Sequence, residues 1–312
     1  MSTAEVSAER AVSVPARPRR RRKLFENWWR HLVGIVALVV SLFPVWFVVS
    51  AAFDHSDSVS GTSFWPNIPT LANFTNILHN SVPDKTFQGH VDSAFGRWYL
   101  NSVVIALLTA FFTVILGSLA AYAFSRFRFR GRRTGMLFLL LIQMFPQLLL
   151  VVAIYLIVLN VGGVFPVIGL NTYTGLIVVY MGGALGVNAW LLKGFFDTIP
   201  KELDESARVD GATPGQIFWG VVLPLALPVL AVVGLISFVS TLNEFAIASA
   251  ILQTKSHYTL PVGMRGFIDQ QYGQRWGPFT AGALMAAVPA TLLFLSLQKW
   301  LVSGLTQGSV KG

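Results

Sequence analysis

Six apolar runs punctuate the chain, at residues 32–53, 98–124, 136–159, 172–195, 225–250 and 279–301. Each is of the order of the roughly 20 residues that an α-helix needs to cross a bilayer. Within lipid every backbone N–H and C=O must be paired internally, which leaves helices and closed barrels as the spanning structures. The pattern therefore predicts an all-α, six-span membrane protein. The first run follows a charged segment, as in a signal peptide, and Val49-Ser50-Ala51 resembles a cleavage site. Its length exceeds the roughly 7–15 apolar residues of a signal-peptide core, so it reads as an uncleaved span that tolerates Pro44.

The polar stretches carry their own signals. Residues 1–31 are low in complexity and contain Arg19-Arg20-Arg21-Arg22-Lys23, which predicts a disordered basic tail. That run serves as a topology determinant or as a contact for anionic lipid. Residues 54–97 form an external loop with Pro66, Pro69 and Pro83, and His55, His79 and His90 lack metal-ligand spacing. Arg126, Arg128, Arg130, Arg132 and Arg133 alternate with Phe127 and Phe129. Such interleaving can bind single-stranded nucleic acid, but at a membrane boundary it reads as interfacial anchoring. Gly117, Ala120 and Ala121, then Gly182, Gly183 and Gly186, then Gly282, Ala286 and Ala287 are small residues that let spans approach closely. Residues 32–302 make one six-span domain, with a loop at 197–224 and a short C-terminal tail at 303–312.

One polar stretch has helix grammar of its own, Lys201 to Pro224. Pro200 suits a helix start, Glu202 to Asp210 lacks interior Gly or Pro, and Gly211 can adopt the left-handed conformation that closes a helix. Thr213, Pro214 and Gln216 then fit N-cap, N1 and N3 of a capping box. The expectation is a short helix, a glycine turn, and a second helix that bends or restarts at Pro224. On local physics alone, an ordinary loop between two spans fits equally well.

Composition narrows the class. The chain is 54% hydrophobic and 12% charged, against about 25% charged in soluble domains. It has no cysteine, which excludes disulfides, thiolate metal sites and cysteine nucleophiles. The net charge of +9 is not spread evenly. With the N-terminus placed inside, Lys and Arg number eight in 1–31, five in 125–135, three in 193–218 and two in 299–312. The opposite side has two in 54–97, none in 160–171 and three in 251–278. This bias of 18 to 5 predicts that both termini and the 197–224 loop are cytoplasmic, and it removes the need for a nucleic-acid partner.

Chemistry within the spans is sparse. Glu244 is the one acidic residue inside a run. It lies about 30 Å along a helix from Pro224 at 1.5 Å per residue, near the outer interface, where a structural and a gating role both stand open. No chain of acidic groups crosses the membrane as in ion-coupled carriers. No G-x-x-x-x-G-K-[ST] run is present, so the chain has no P-loop for ATP. Neither a catalytic constellation nor a metal cluster is visible, and the chain does not read as an enzyme.

The spacing of Glu205-Ser206-Ala207, three residues, Gly211, nine residues and Val221-Val222-Leu223-Pro224 resembles the E-A-A-x3-G-x9-I-x-L-P signature of ABC importer permeases. Ser206 stands where that pattern has Ala, and Val221 where it has Ile. Over residues 30–312 the chain resembles the maltose/maltodextrin branch of that family. The likeness rests on Met144-Phe145-Pro146, on Phe165 to Thr172, on Asp210 to Pro214, on Tyr258 to Met264 and on Gly304 to Gly312. The resemblance implies a bacterial inner-membrane subunit that pairs with a MalF-like permease, two copies of an ABC ATPase and an extracytoplasmic sugar-binding protein. ATP and Mg would be bound by the ATPase, and this chain would hold no cofactor. It further implies that the helix bearing Glu205, Ser206, Ala207, Asp210 and Gly211, together with Leu223 and Pro224, docks on the ATPase. Gln253, Thr254, Lys255, Ser256, His257, Tyr258 and Thr259 would reach the binding protein, and Gln307, Gly308 and Ser309 the ATPase dimer. A different oligosaccharide, such as trehalose, or glycerol phosphate would be the alternative solute.

Overall fold

The computed structural model describes residues 28–55, 64–79, 82–83, 90–91, 94–269 and 274–307. The expected basic tail up to residue 27, and Gly308 and Ser309 of the expected ATPase-contacting tail, lie outside them. The chain divides after Phe47 into two compact units. The described part of the first is the bulk of helix α1 (Trp28–Ala52), whose apolar side chains from Leu32 to Val45 stand exposed. That is the signature of a helix whose solvent is lipid.

The second unit is almost wholly helical. α2 (Ala72–Leu78) is short, and a pair of two-residue strands, β1 (Val82–Pro83) and β2 (His90–Val91), follows. α3 (Phe95–Arg126) has 32 residues, about 48 Å at 1.5 Å per residue. It therefore overshoots a hydrocarbon core about 30 Å thick and delivers side chains beyond both faces. α4 (Arg132–Gln143) and α5 (Gln147–Val164) share the third apolar run and are separated at Met144-Phe145-Pro146, where proline cannot continue the ladder. α6 (Tyr173–Phe196) starts at Thr172, whose side chain accepts from Gly175 N. Then come α7 (Lys201–Val209), α8 (Pro214–Ile217), a π-helical turn at Phe218–Val222, and α9 (Leu223–Leu225). α10 (Leu227–Leu242), α11 (Ala246–Ile251), α12 (Leu260–Ile268) and α13 (Trp276–Gln307) complete the chain. α13 continues through Gln307, past the end expected for the last span.

Five of the described helices are long and apolar enough to cross a membrane, and a sixth span results if the bent pair Pro214–Leu225 and Leu227–Leu242 counts as one. The expected single helix over 225–250 is not continuous. The axis turns by 79° at Ala226, because Pro224 and Pro228 both lack the N–H that an unbroken helix would use there. A second break, at Asn243 to Phe245, separates α10 from α11. The first bend falls two residues past Pro224, where a bend or restart was expected, and the second at the polar pair Asn243-Glu244.

α3 and α6 form the centre of the bundle and run in the same direction. Trp98 and Tyr173, near their starts, bond to residues 255 and 256, while Ser125 and Arg126 at the end of α3 bond to Asp197 and Ile199 at and just past the end of α6. Small residues set the closeness. A Cβ on Gly117 would stand 3.2 Å from the Asn188 Cβ, and one on Gly186 3.0 Å from the Leu139 carbonyl oxygen, whereas Gly182 and Gly183 have open space. Asn188 Nδ2 donates to Ser237 Oγ at 2.9 Å in the buried interior and ties α6 to α10. Interhelical bonds of this kind contribute modestly, about 0.6 kcal/mol on average.

The tightest approach is elsewhere. A Cβ on Gly263 of α12 would lie 2.2 Å from the Trp98 ring, and that ring is pinned by its Nε1 bond to the Lys255 carbonyl at 2.7 Å. Gly263→Ala is accordingly expected to destabilise the protein by about 1–3 kcal/mol, the range for overpacking. A lowered midpoint of thermal unfolding in detergent checks this; Gly266→Ala, where nothing lies within 4 Å, is the control.

Candidate functional site

The Lys201–Pro224 stretch folds as a helix, a turn and a restarted helix against the ends of α3 and α6. α7 begins after Pro200 and carries Glu202 and Asp204 in its first turn and Arg208 in its last, each sign favourable to the helix dipole at that end. Its nine residues are too few for an isolated helix to persist in water, so packing must hold it. Gly211 closes it with φ +85°, a conformation that costs other L-residues about 1–2 kcal/mol. The Ala212 N–H returns to the Ala207 carbonyl at 2.9 Å. Thr213 caps α8 reciprocally: Gln216 N donates to Thr213 Oγ1 and Thr213 N donates to Gln216 Oε1. Beneath lies an apolar cluster that includes Tyr122, Leu192, Phe196, Ile217, Phe218 and Val222, with Ala207, Ala212, Val221 and Leu223 packed on it.

Polar contacts complete the attachment. Arg126 Nε stands 2.7 Å from Asp204 Oδ2, with side chains 2% and 4% exposed. It is a charge contact rather than an aligned hydrogen bond, and Arg126 Nη1 and Asp204 Oδ1 are buried without a hydrogen-bond partner among the described residues. Arg126 Nη2 donates to the Ile199 carbonyl at 3.0 Å. Ser125 Oγ donates to Asp197 Oδ1 at 2.6 Å, and Lys193 pairs with the same carboxylate. Burial pushes the Asp197 carboxyl up, but the bonds from Lys193 and Ser125 and the charges of Lys193 and Arg132 outweigh it and hold it below its ordinary value. Tyr122 OH donates to the Pro214 carbonyl at 3.2 Å, and its ring lies 5.1 Å from that of Phe218.

Interfacial anchoring is thus not the position of Arg126, the first of the expected anchors: it is buried in an ion pair. Removal of one partner from such a pair typically costs about 3–5 kcal/mol, because the other charge stays buried alone. The two faces of α7 differ accordingly. Asp204 is buried and Ala207 half-buried against the bundle, whereas Glu205, Ser206, Val209 and Asp210 face outward, with Val209 88% exposed. Gly211 and Pro224 are exposed and Leu223 half-buried. An outward face of carboxylates and an apolar tip on a rigidly held helix is a surface that another protein can grip.

At the other end of α3 the segment 253–259 is equally fixed, by its backbone. Asn101 Nδ2 donates to the Ser256 and Tyr258 carbonyls, Trp98 Nε1 to that of Lys255, and Tyr173 OH to that of Ser256. Asn171 adopts φ 58°, tolerable for asparagine, and its Oδ1 accepts from Gln253 N, Thr254 N and Thr254 Oγ1. The side chains of Gln253, Thr254 and Lys255 are exposed, Ser256, His257 and Tyr258 half-buried, and Thr259 buried at the start of α12. Glu244 lies in the break between α10 and α11. It accepts from Tyr180 OH at 2.6 Å, from Ile247 N at 2.8 Å and from Ala248 N at 3.0 Å, and so caps α11. Gln307 is the last residue of α13.

Arg126, Asp204, Trp98, Asn101 and Asn171 were not singled out for these roles by sequence reading. Their partners are far off in the chain, and no local spacing rule links them. Among the described residues no group of His, Asp and Glu is arranged to hold a metal ion.

Residues 113–307 match the family model described as "Binding-protein-dependent transport system inner membrane component". The chain is 46% identical over 288 residues to "Maltose/maltodextrin transport system permease protein MalG" of Yersinia pestis, covering 90% of this chain and 92% of that one. It is 36% identical over 291 residues to "Galactooligosaccharides transport system permease protein GanQ" of Bacillus subtilis (strain 168), covering 93% and 98%. A chain in the crystal structure of a bacterial ABC transporter involved in alginate import superimposes with a TM-score of 0.66 at 23% identity, over 88% of this chain and 96% of that one. At that identity the likeness is one of fold.

The capping box generates a local prediction. Thr213→Ala removes one half of it and is expected to cost about 0.5–2 kcal/mol, confined to the 197–226 segment. Hydrogen exchange should rise there and stay unchanged at 253–260.

Proposed function

The chain belongs to the family of binding-protein-dependent transport system inner membrane components, a multi-pass permease rather than an enzyme, and on that premise we propose that it is the MalG-like subunit of an ATP-driven importer of maltose and maltodextrins. The observation that carries the reading is the attachment of Lys201–Pro224: its inner face is bolted to α3 and α6, and its outer face, with Glu205, is free to be gripped. A partner ATPase that draws closed around ATP and Mg would move this helix, and the bundle would follow as a rigid body. The segment 253–259, fixed by its backbone with exposed side chains, suits a binding protein whose liganded form favours one state of the cycle. A second, MalF-like permease would complete the membrane part, and Gln307, Gly308 and Ser309 would reach the ATPase pair. The 18-to-5 charge bias supports cytoplasmic termini.

The relative named for galactooligosaccharides, at 36% identity, supports a second reading in which the solute is another oligosaccharide. Competition between maltose and a galactooligosaccharide for uptake separates the two.

Two outcomes are expected. In intact cells Lys255→Cys should react with a membrane-impermeant thiol reagent and Val209→Cys should not, in a natively cysteine-free background; equal labelling contradicts the orientation. Gly211→Val should insert normally, because each span satisfies its own backbone. It should nevertheless bind less ATPase or lose stimulation by liganded binding protein, since the strained turn re-aims α7. Glu205→Lys should show a milder form. Full binding and full stimulation in Gly211→Val would refute the coupling role.

A further inference from the structure

We propose that Arg126 and Asp204 act as a coupling pin, a buried charge pair that makes the end of α3 move with α7. The inference rests on the coupling role proposed for Lys201–Pro224. The backbone joins α7 to α6 through residues 197–200 and to α10 through residues 210–226. It gives α3 no such link: Arg126 and Ile199 are already 73 residues apart. α3 reaches the segment only through the side chains of its last turns. Ser125 meets Asp197, which caps α6, and Arg126 Nη2 meets the Ile199 carbonyl in the linker. Tyr122 meets the Pro214 carbonyl at the start of α8. Among the described polar contacts from α3, the pair with Asp204 is the one that touches α7 itself.

Stability alone does not account for it. Two charges taken out of water lose about what their attraction returns, and a well-packed apolar pair of similar volume is often equal or better. Here the cost is raised further, because Arg126 Nη1 and Asp204 Oδ1 are buried without hydrogen-bond partners among the described residues. What an apolar pair lacks is the joint hold. Arg126 meets the Asp204 carboxylate through Nε and donates to the Ile199 carbonyl through Nη2, so a single side chain of α3 ties both α7 and the linker that precedes it. With the pin in place, displacement of α7 carries α3 along. Without it, α7 pivots on its two backbone links, and ATP is turned over while α3 lags. Arg126 and Asp204 are positioning residues; neither touches the solute.

The test uses the assembled complex in proteoliposomes, with its ATPase, liganded binding protein and radiolabelled maltose. Asp204→Asn strands a buried charge and can fail to assemble, so the double variant Arg126→Met with Asp204→Leu carries the test. It is expected to hold wild-type amounts of ATPase, to keep stimulated hydrolysis and to unfold at the wild-type temperature. Sugar moved per ATP should nevertheless fall about tenfold, a coupling change of ordinary size. Arg126→Lys, which keeps the charge and loses the fork, should lie between. A wild-type ratio of sugar to ATP in the double variant overturns the pin. Loss of bound ATPase or of its stimulation in that variant overturns it as well, since the pair would then shape the docking surface and not transmit from it. If Glu205→Lys and Gly211→Val leave binding and stimulation intact, the coupling reading itself fails, independently of the pair.

Discussion

A guanidinium and a carboxylate shut away from water at the end of α3 govern how this protein is organised. Arg126 and Asp204 are each almost fully buried, and neither can be buried without the other. Their pairing ties α7 to the end of α3, while the apolar cluster of Tyr122, Phe196, Ile217 and Phe218 beneath seats the 201–224 stretch on the bundle. A nine-residue helix with polar composition has no claim to stability by itself. It exists because one face is packed, one carboxylate is paired and one glycine closes it. The result is a separation of its two faces: the inner one is committed to the bundle, and the outer one, with Glu205, Val209 and Asp210, is exposed.

The length of α3 turns a local arrangement into a link across the membrane. At about 48 Å it outruns a hydrocarbon core about 30 Å thick. Its first turns hold the 253–260 segment through Trp98, Asn101 and Ser102, and its last turns hold the 197–214 segment through Tyr122, Ser125 and Arg126. Both segments are thus mounted on one helix, packed along its length against α6, which runs in the same direction. A packed pair of this kind transmits displacement as rigid-body motion. For an importer that must answer a liganded protein on one side and nucleotide on the other, that mounting is the physical requirement.

The sequence disclosed what is local. Long apolar runs announce spans because lipid forbids unpaired backbone; among the described residues five such helices stand, with a sixth if the bent pair counts as one span. Gly211 and the Thr213–Gln216 box were legible because their chemistry is complete within a few residues. The bend at Ala226 was legible in Pro224, where the helix was expected to bend or restart; the break at Asn243 to Phe245 was not, since two polar residues inside an apolar run do not by themselves end a helix. Glu244 stood out as an acid inside a span, yet only the fold shows that it caps α11 and accepts from Tyr180. Arg126 was legible as a charge at a membrane boundary, but not as the partner of Asp204, because nothing in spacing joins two residues from different helices 78 positions apart. Asn171 is a similar case: its side chain serves residues 253 and 254, more than 80 positions away.

The central claim is that α7 and the end of α3 are one body throughout the transport cycle. Spin labels at Leu119→Cys on α3 and Val209→Cys on α7, both exposed positions in a cysteine-free chain, report the separation directly by pulsed electron resonance in the assembled complex. The account predicts one narrow distance distribution that is unchanged between the nucleotide-free and ATP-trapped states, while labels placed across to the partner permease shift. A distance between α3 and α7 that changes on ATP binding would contradict it.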